Sequence, residues 1–382
     1  MSDTAETVEP FLPHETREID KYFLFAFKNN ASDLHIKVGE PPLFRIKGSV
    51  VRAKMTPFTE EQVNALLEPM LGPKELRELE DRGGADFAIN VDNVGRFRLN
   101  VYKQRGMYSM SARCVKTVIP TLDQLNLPPS LKIIPTYESG LILVAGVTGA
   151  GKSTTLAALV QIINMTQPVH IITIENPIEY LYDKKDSKAF VDQREVGIDL
   201  PDFYNGLRQV LRQDPDVVLV GEMRDAETFE AALMAAETGH LVFGTIHAGS
   251  AAQSIGRVLD YFPQSCHSQI RQMLYFNLRA VVVQKLVKGT MPEIPRVPAV
   301  EIMLCNPIIR KAIHENEDRK IADSIRAGRQ EGMQDFNQSF CELVRRGLVS
   351  EQVALENSPN PEQLQMNLKG ITLGSDRGSI TG

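Results

Sequence analysis

The chain has 382 residues, 43% hydrophobic and 24% charged, with 48 acidic against 42 basic side chains for a net charge of −6. That length accommodates two domains, or one large one with an extra module, and the composition is that of a soluble globular protein. The acidic balance argues against a general nucleic-acid binder, and no apolar run approaches the roughly 18 residues a membrane helix needs.

The acidic, polar start, MSDTAETVEP, reads as neither a secretory signal nor a transit peptide, and residues 1–17 are expected to be a flexible tail. From Glu18 to Asn30 the spacing of Ile19, Tyr22, Phe23, Phe25, Ala26 and Phe27 predicts an amphipathic helix. SDLHIKVG and PLFRIKGSV alternate as short strands about a Pro-Pro turn, and helical patterns follow over Thr59–Leu71 and Pro73–Arg82. DFAINV, GRFRLNVYKQ and MYSMSARCV then return as strands, so residues 18–117 predict a small α+β domain. IPTLDQLNLPPSL supplies a linker, taken as residues 118–132.

Beyond it the pattern changes. LILVAGV, HIITIE, DVVLVGE and LVFGTIH are short apolar segments separated by helical patterns, which indicates a parallel sheet covered on both faces. This second domain is placed over residues 133–356, helical from Asn306 to Glu356. Residues 357–382, rich in Gly, Ser, Asn and Pro, are expected to be disordered. Cys114, Cys266, Cys305 and Cys341 form no CxxC pair and read as buried thiols rather than disulfides or zinc ligands.

The segment GVTGAGKS, Gly146 to Ser153, fits GxxxxGK[ST] and lies between the strand LILVA and the helix TTLAALVQII. In that context Gly146, Val147, Thr148, Gly149, Ala150 and Gly151 would turn backbone N–H groups around a β-phosphate, helped by the helix N-terminus at Thr154. Lys152 would reach the β- and γ-phosphates and the Ser153 hydroxyl would ligate Mg²⁺. DVVLVGEMRD sets Glu222 at a strand's C-terminal end, where it would hold Mg²⁺ through a water or stand at a helix N-terminus. LVFGTIH brings His247 to a strand end where a γ-phosphate belongs, while His240, at the strand's start, is as readily structural. IITIENPIEY ends a strand in Glu175 and Glu179, which could cap a helix, bind a metal or act as a base. Pro177 disfavours helix at Asn176, so the segment is expected to continue extended. Arg96 and Arg98 are two apart and share one face of a strand, suited either to an anion or to surface ion pairs.

Four strings in this order, GVTGAGKSTTLAAL, TIENPIEY, DPDVVLVGEMRD and GHLVFGTIHAGSA, resemble the Walker A, Asp box, Walker B and His box of the type II/IV secretion ATPases. QREVG (Gln193 to Gly197), SDLHI and GRFRLNV add to the resemblance, which runs from about residue 19 to 355 and is strongest to the twitching-motility branch that retracts type IV pili. The resemblance implies an α/β fold: a PAS-like N-terminal domain followed by a RecA-like P-loop ATPase domain with a mostly parallel sheet. It implies ATP and Mg²⁺ as cofactors and a homohexameric ring, with ATP bound between the two domains and completed by a neighbour. By the same resemblance Glu179 is the catalytic base with Glu175 beside it, and Lys152, Ser153 and Glu222 are the Walker residues. His240 and His247 become the His-box pair, Arg96, Arg98 and Arg113 neutralise the γ-phosphate, and Arg208 and Arg212 lie near the subunit interface.

The implied partners are an inner-membrane pilus platform protein and a paralogous retraction ATPase, with no nucleic acid, at the cytoplasmic base of the pilus. The chain departs from the family pattern at Asn176, where aspartate is usual, and at PIIRKAI (Pro307 to Ile313), which replaces an AIRNLI-like motif. The first departure bears on magnesium or base geometry, and the second suits an accessory or specialised motor. The alternatives are an assembly or secretion motor of the same superfamily, against which the absence of a tetracysteine motif counts, and a RecA-like nucleic-acid motor. The latter would want a basic, aromatic-rich groove, whereas aromatic content is 7%. An ATP-binding scaffold without catalysis fits poorly with an intact Lys152, Glu179 and Glu222.

Overall fold

Residues 17–46, 48–92, 94–182 and 186–370 are described by a computed structural model, in which the chain divides into two units, Met1–Lys116 and Thr117–Gly382. The tails expected at residues 1–16 and 371–382 lie outside the described residues.

The first unit runs α1 (Asp20–Lys28), β1 (Ala31–Lys37), β2 (Leu43–Ile46), β3 (Ser49–Arg52), α2 (Glu60–Leu67), α3 (Pro73–Arg82), β4 (Gly84–Val91), β5 (Gly95–Gln104) and β6 (Met107–Cys114). Among the described residues its strands form one antiparallel sheet in the order β3-β2-β1-β6-β5-β4. The two-residue alternation of β5 decides its faces: Phe97, Leu99 and Val101 are buried, so Arg96 and Arg98 point together to the other side. Phe97 meets Phe23 of α1 at 4.6 Å between ring centroids, closing the core between helix and sheet.

The second unit runs β7 (Gly140–Ala145), α4 (Lys152–Thr166), β8 (His170–Glu175), β9 (Phe190–Glu195), α5 (Phe203–Val210), β10 (Val217–Val220), α6 (Ala226–Glu237), β11 (Leu241–Ile246), α7 (Ala251–Leu259), α8 (His267–Asn277), β12 (Leu278–Met291), β13 (Ile294–Leu304), α9 (Pro307–His314), α10 (Ile321–Ala327), α11 (Phe336–Arg345), α12 (Glu351–Asn357) and α13 (Pro361–Leu368). Its sheet has the order β13-β12-β7-β11-β10-β8-β9, parallel throughout except for the β12–β13 pair. Every residue of β7, β10 and β11 is buried, as unbroken apolar runs require when helices cover both faces of a sheet. The C-terminal ends of β7, β8, β10 and β11 therefore open together on one rim.

Three stretches differ from the sequence reading. Residues 118–132 are not a free tether: Leu122, Leu127 and Leu131 are buried in the core of the second unit, because their apolar spacing gives them a face to bury. The segment 278–304, unassigned from sequence, is the antiparallel hairpin β12–β13. Residues 361–368, expected to be disordered, form α13, capped by Asn360 and anchored by the fully buried Leu364. Of the four thiols, Cys305 and Cys341 are buried while Cys114 and Cys266 are partly exposed, and all four are free.

Candidate active site

The phosphate-type loop leaves β7 at Gly146 and enters α4 at Lys152. Gly146, Gly149 and Gly151 have φ of 147°, 78° and 87°, which side-chain-bearing residues rarely adopt. Close approach adds a second reason at the first of them: a Cβ at Gly146 would stand 2.5 Å from the Gln284 carbonyl oxygen. Lys152 folds back over this loop, its Nζ donating to the Gly146 and Val147 carbonyls at 2.9 and 3.2 Å. Burial pushes its ammonium below the ordinary lysine value, opposed by the Glu222 and Glu179 charges. A half-desolvated cation above inward-turned glycine backbone is chemistry for binding an anion.

The neighbouring strands complete a cleft of about 400 Å³ lined by Lys152, Ser153, Glu175, Glu179, Glu222 and His247. Ser153 Oγ donates to Glu179 Oε1 at 3.0 Å, and Thr154 Oγ1 lies 3.0 Å from the Tyr180 hydroxyl, so the α4 terminus and the segment after β8 are joined twice. That segment stays non-helical as expected: Asn176 is exposed beside the cleft, and its peptide bond to Pro177 is cis. The capping role considered for Glu175 and Glu179 does not arise. Nor is Glu222 a cap, since Asp225 caps α6 by accepting from Thr228 N at 2.7 Å.

Glu222 sits two residues past β10 and accepts from His247 Nε2 at 3.0 Å and from Arg224 Nη2 at 2.6 Å. Burial raises its carboxyl, but the bonds from Arg224 and His247 outweigh that and hold it below the ordinary glutamate value, ionised at neutral pH. Glu175 differs. Its Oε1 accepts from Thr173 Oγ1 at 2.8 Å and from Gln193 Nε2 at 3.0 Å. Burial nonetheless pushes its carboxyl up to about 7; the bonds from Thr173, Gln193 and the Glu179 N–H work against this, and the Glu179 charge adds to it. Gln193 also clips the segment that follows β8, donating to Tyr180 O at 2.8 Å and accepting from Tyr182 N at 3.2 Å.

Because the folded value of Glu175 is raised from 4.5, its contribution to stability is fully present below about pH 4.5 and is lost as pH rises through 7. Glu175→Gln removes that titration. Between pH 5 and 8 the unfolding free energy of the parent should fall more than that of the variant, by up to about 3 kcal/mol. Urea unfolding across the range reads this directly, and parallel curves would show that Glu175 does not titrate this way.

Of the other predicted residues in the second unit, His240, Arg208 and Arg212 do not line the cleft. His240 immediately precedes β11, its Nδ1 2.9 Å from Ala235 O and 3.1 Å from Thr238 Oγ1. Six residues of strand, roughly 20 Å, separate it from the end that carries His247, so it belongs to the α6–β11 turn. Arg212 is exposed after α5, and Arg208 packs against Tyr204 with its guanidinium 5.6 Å from the ring. Arg96, Arg98 and Arg113 belong to the first unit, where Arg113 Nε donates to the buried Asp33 at 2.9 Å. Arg98 is its register partner across β5–β6.

Two side chains absent from the sequence reading support the cleft from the hairpin. Gln284 of β12, 3% exposed, accepts from Thr155 Oγ1 at 2.7 Å and donates Nε2 to Ala150 O at 2.7 Å. Glu301 of β13 accepts from Ala251 N at 2.6 Å, at the start of the helix that follows His247. The available signal was a lone polar residue inside an apolar run, VVVQKLV and PAVEIML, which a buried strand keeps only with partners.

Strand, glycine loop and helix on the rim of a parallel sheet, with an ionised glutamate and a histidine facing the loop, define a P-loop ATPase. Residues 126–295 match the family described as type II/IV secretion system protein. The chain is 41% identical over 345 residues to the type IV pilus retraction ATPase PilT of Pseudomonas aeruginosa, covering 90% of this chain and 99% of the relative. It is 35% identical over 359 residues to the type IV pilus ATPase PilU of the same organism, covering 94% and 92%. The crystal structure of the pilus retraction motor PilT with bound ADP superposes with a TM-score of 0.82 at 41% identity, covering 91% of this chain and 98% of that one. The chain belongs to the type II/IV secretion ATPase family, in its PilT-type, twitching-motility branch, and the resemblance read from the four boxes is borne out.

Proposed function

We propose that this chain is the ATP-hydrolysing motor of type IV pilus retraction, acting as a homohexamer on an inner-membrane pilus platform protein beside a paralogous retraction ATPase. The observation that carries the ATPase half is the convergence of Lys152, Ser153, Glu179, Glu222 and His247 on one cleft. The pilus-retraction relatives support the mechanical half. No helix among the described residues is long and apolar enough to cross a membrane.

The cleft fits a magnesium nucleotide. Its loop N–H groups and the half-buried Lys152 suit phosphate oxygens, and Ser153 and Glu222 offer the hard oxygen donors that Mg²⁺ takes, Glu222 through a water. When bound, the metal and Lys152 neutralise charge developing on the phosphates. Glu179 is the base that accepts a proton from the attacking water. Glu175, hydrogen-bonded but raised towards neutrality, supports it. His247 holds Glu222 in place and faces the terminal phosphate, while Arg96, Arg98 and Arg113 are proposed to answer the same charge from the first unit.

A deletion strain tests the direction of the work. Surplus pili on cells that do not twitch are the expected result. Cells without pili would turn the reading towards an assembly motor.

A further inference from the structure

Resting on the nucleotide reading above, we infer that Gln284 is a positioning residue that presets the phosphate loop from behind, so that the loop binds nucleotide without rearranging. Three contacts carry this. The Gln284 amide donates to Ala150 O, near the loop's end, at 2.7 Å. Its carbonyl accepts from Thr155 Oγ1 on the first turn of α4, also at 2.7 Å. Its own backbone oxygen lies where a Cβ at Gly146 would come within 2.5 Å, so the strand packs directly on the loop's first glycine. One residue of β12 therefore touches the loop's beginning, its end and the helix it feeds.

An amide is the side chain this place requires. The site offers one acceptor, the Ala150 carbonyl, and one donor, the Thr155 hydroxyl, and both are buried away from water. A carboxylate would supply no donor for Ala150, and a hydrocarbon would leave both partners unsatisfied. An Ala150 carbonyl freed from Gln284 can turn into the cleft, where it would oppose phosphate rather than attract it. The cost falls on binding the phosphates, in ground state and transition state alike, because the loop cradles both. Such uniform loss raises KM and leaves kcat nearly unchanged.

The test compares Gln284→Met, Thr155→Val and Thr155→Ser in the full chain, measuring the affinity for a fluorescent ADP analogue, the steady-state constants for ATP and the melting temperature. Gln284→Met should weaken ADP binding and raise KM by about tenfold, the worth of roughly one buried hydrogen bond, with kcat within about twofold. Thr155→Val should move the same two quantities in the same direction, and Thr155→Ser, which keeps the hydroxyl, should restore them. Adding Thr155→Val to Gln284→Met should bring little further loss, since both remove one shared contact. A lowered melting temperature with parental ADP affinity and KM would reduce Gln284 to a packing residue and overturn the inference. Should Gln284→Met fail to fold, equal KM values for Thr155→Val and Thr155→Ser overturn it on their own. Tight ADP binding by the parent with unchanged variants sinks the Gln284 role alone; no binding by the parent sinks the nucleotide reading and the role with it.

Discussion

Lys152→Ala is expected to lose ATP hydrolysis by at least about a hundredfold, the scale seen when one preorganised charge-stabilising donor is removed. The side chain is the cation held over the loop, 2.9 Å from Gly146 O, and among the described residues no other lysine lines the cleft. The fold should persist. The helix that begins at Lys152 is anchored by Leu156, Leu159, Val160 and Ile163, all buried, and truncating Lys152 removes only two bonds to the loop's own carbonyls. Phosphate release read beside a circular-dichroism melt separates the two effects. Ordinary turnover by a folded Lys152→Ala protein would remove the loop from the mechanism.

Glu179→Gln should keep ATP bound while slowing hydrolysis by about 10²–10⁴-fold, the usual contribution of a positioned general base. Glutamine retains an oxygen to accept the Ser153 hydroxyl now 3.0 Å from Glu179 Oε1, so the cleft keeps its shape and only proton acceptance is lost. Glu175→Gln is the necessary control. Its carboxyl is enclosed and raised to about 7, whereas Glu179 is exposed at the cleft, where a water can reach it. If Glu175→Gln stops turnover and Glu179→Gln does not, the two glutamates exchange roles.

Much of the site was legible because its parts are local. A glycine loop between a strand and a helix declares itself within eight residues, and acids at the ends of apolar strands must gather on one rim once the sheet is parallel. Glu175, Glu179, Glu222 and His247 were readable for that reason. What the sequence hides is the lateral order of strands. Nothing in VVVQKLV says that β12 lies against β7, so neither Gln284 nor its hold on Ala150 could be derived, although the isolated amide was a clue. His240 shows the converse: box membership names it with His247, but the length of β11 carries it to the far edge. The linker and α13 were misread from proline and polar content, because Leu131 and Leu364 each bury in a core assembled from distant segments.

The hairpin β12–β13 also sets where this chain can change length. Val283 pairs with Glu301 and Gln284 with Val300, so Gln284 and Glu301 emerge on opposite faces, one towards the phosphate loop and the other towards α7. A single residue inserted into or deleted from the paired body of either strand would reverse one of those faces and break its contact. At the tip between Met291 and Ile294, just beyond the register shift between Lys288 and Met291, added residues leave both faces in phase. Added length in the hairpin is thus accommodated at that turn, and a tag or tether placed there would leave the rim of the cleft undisturbed.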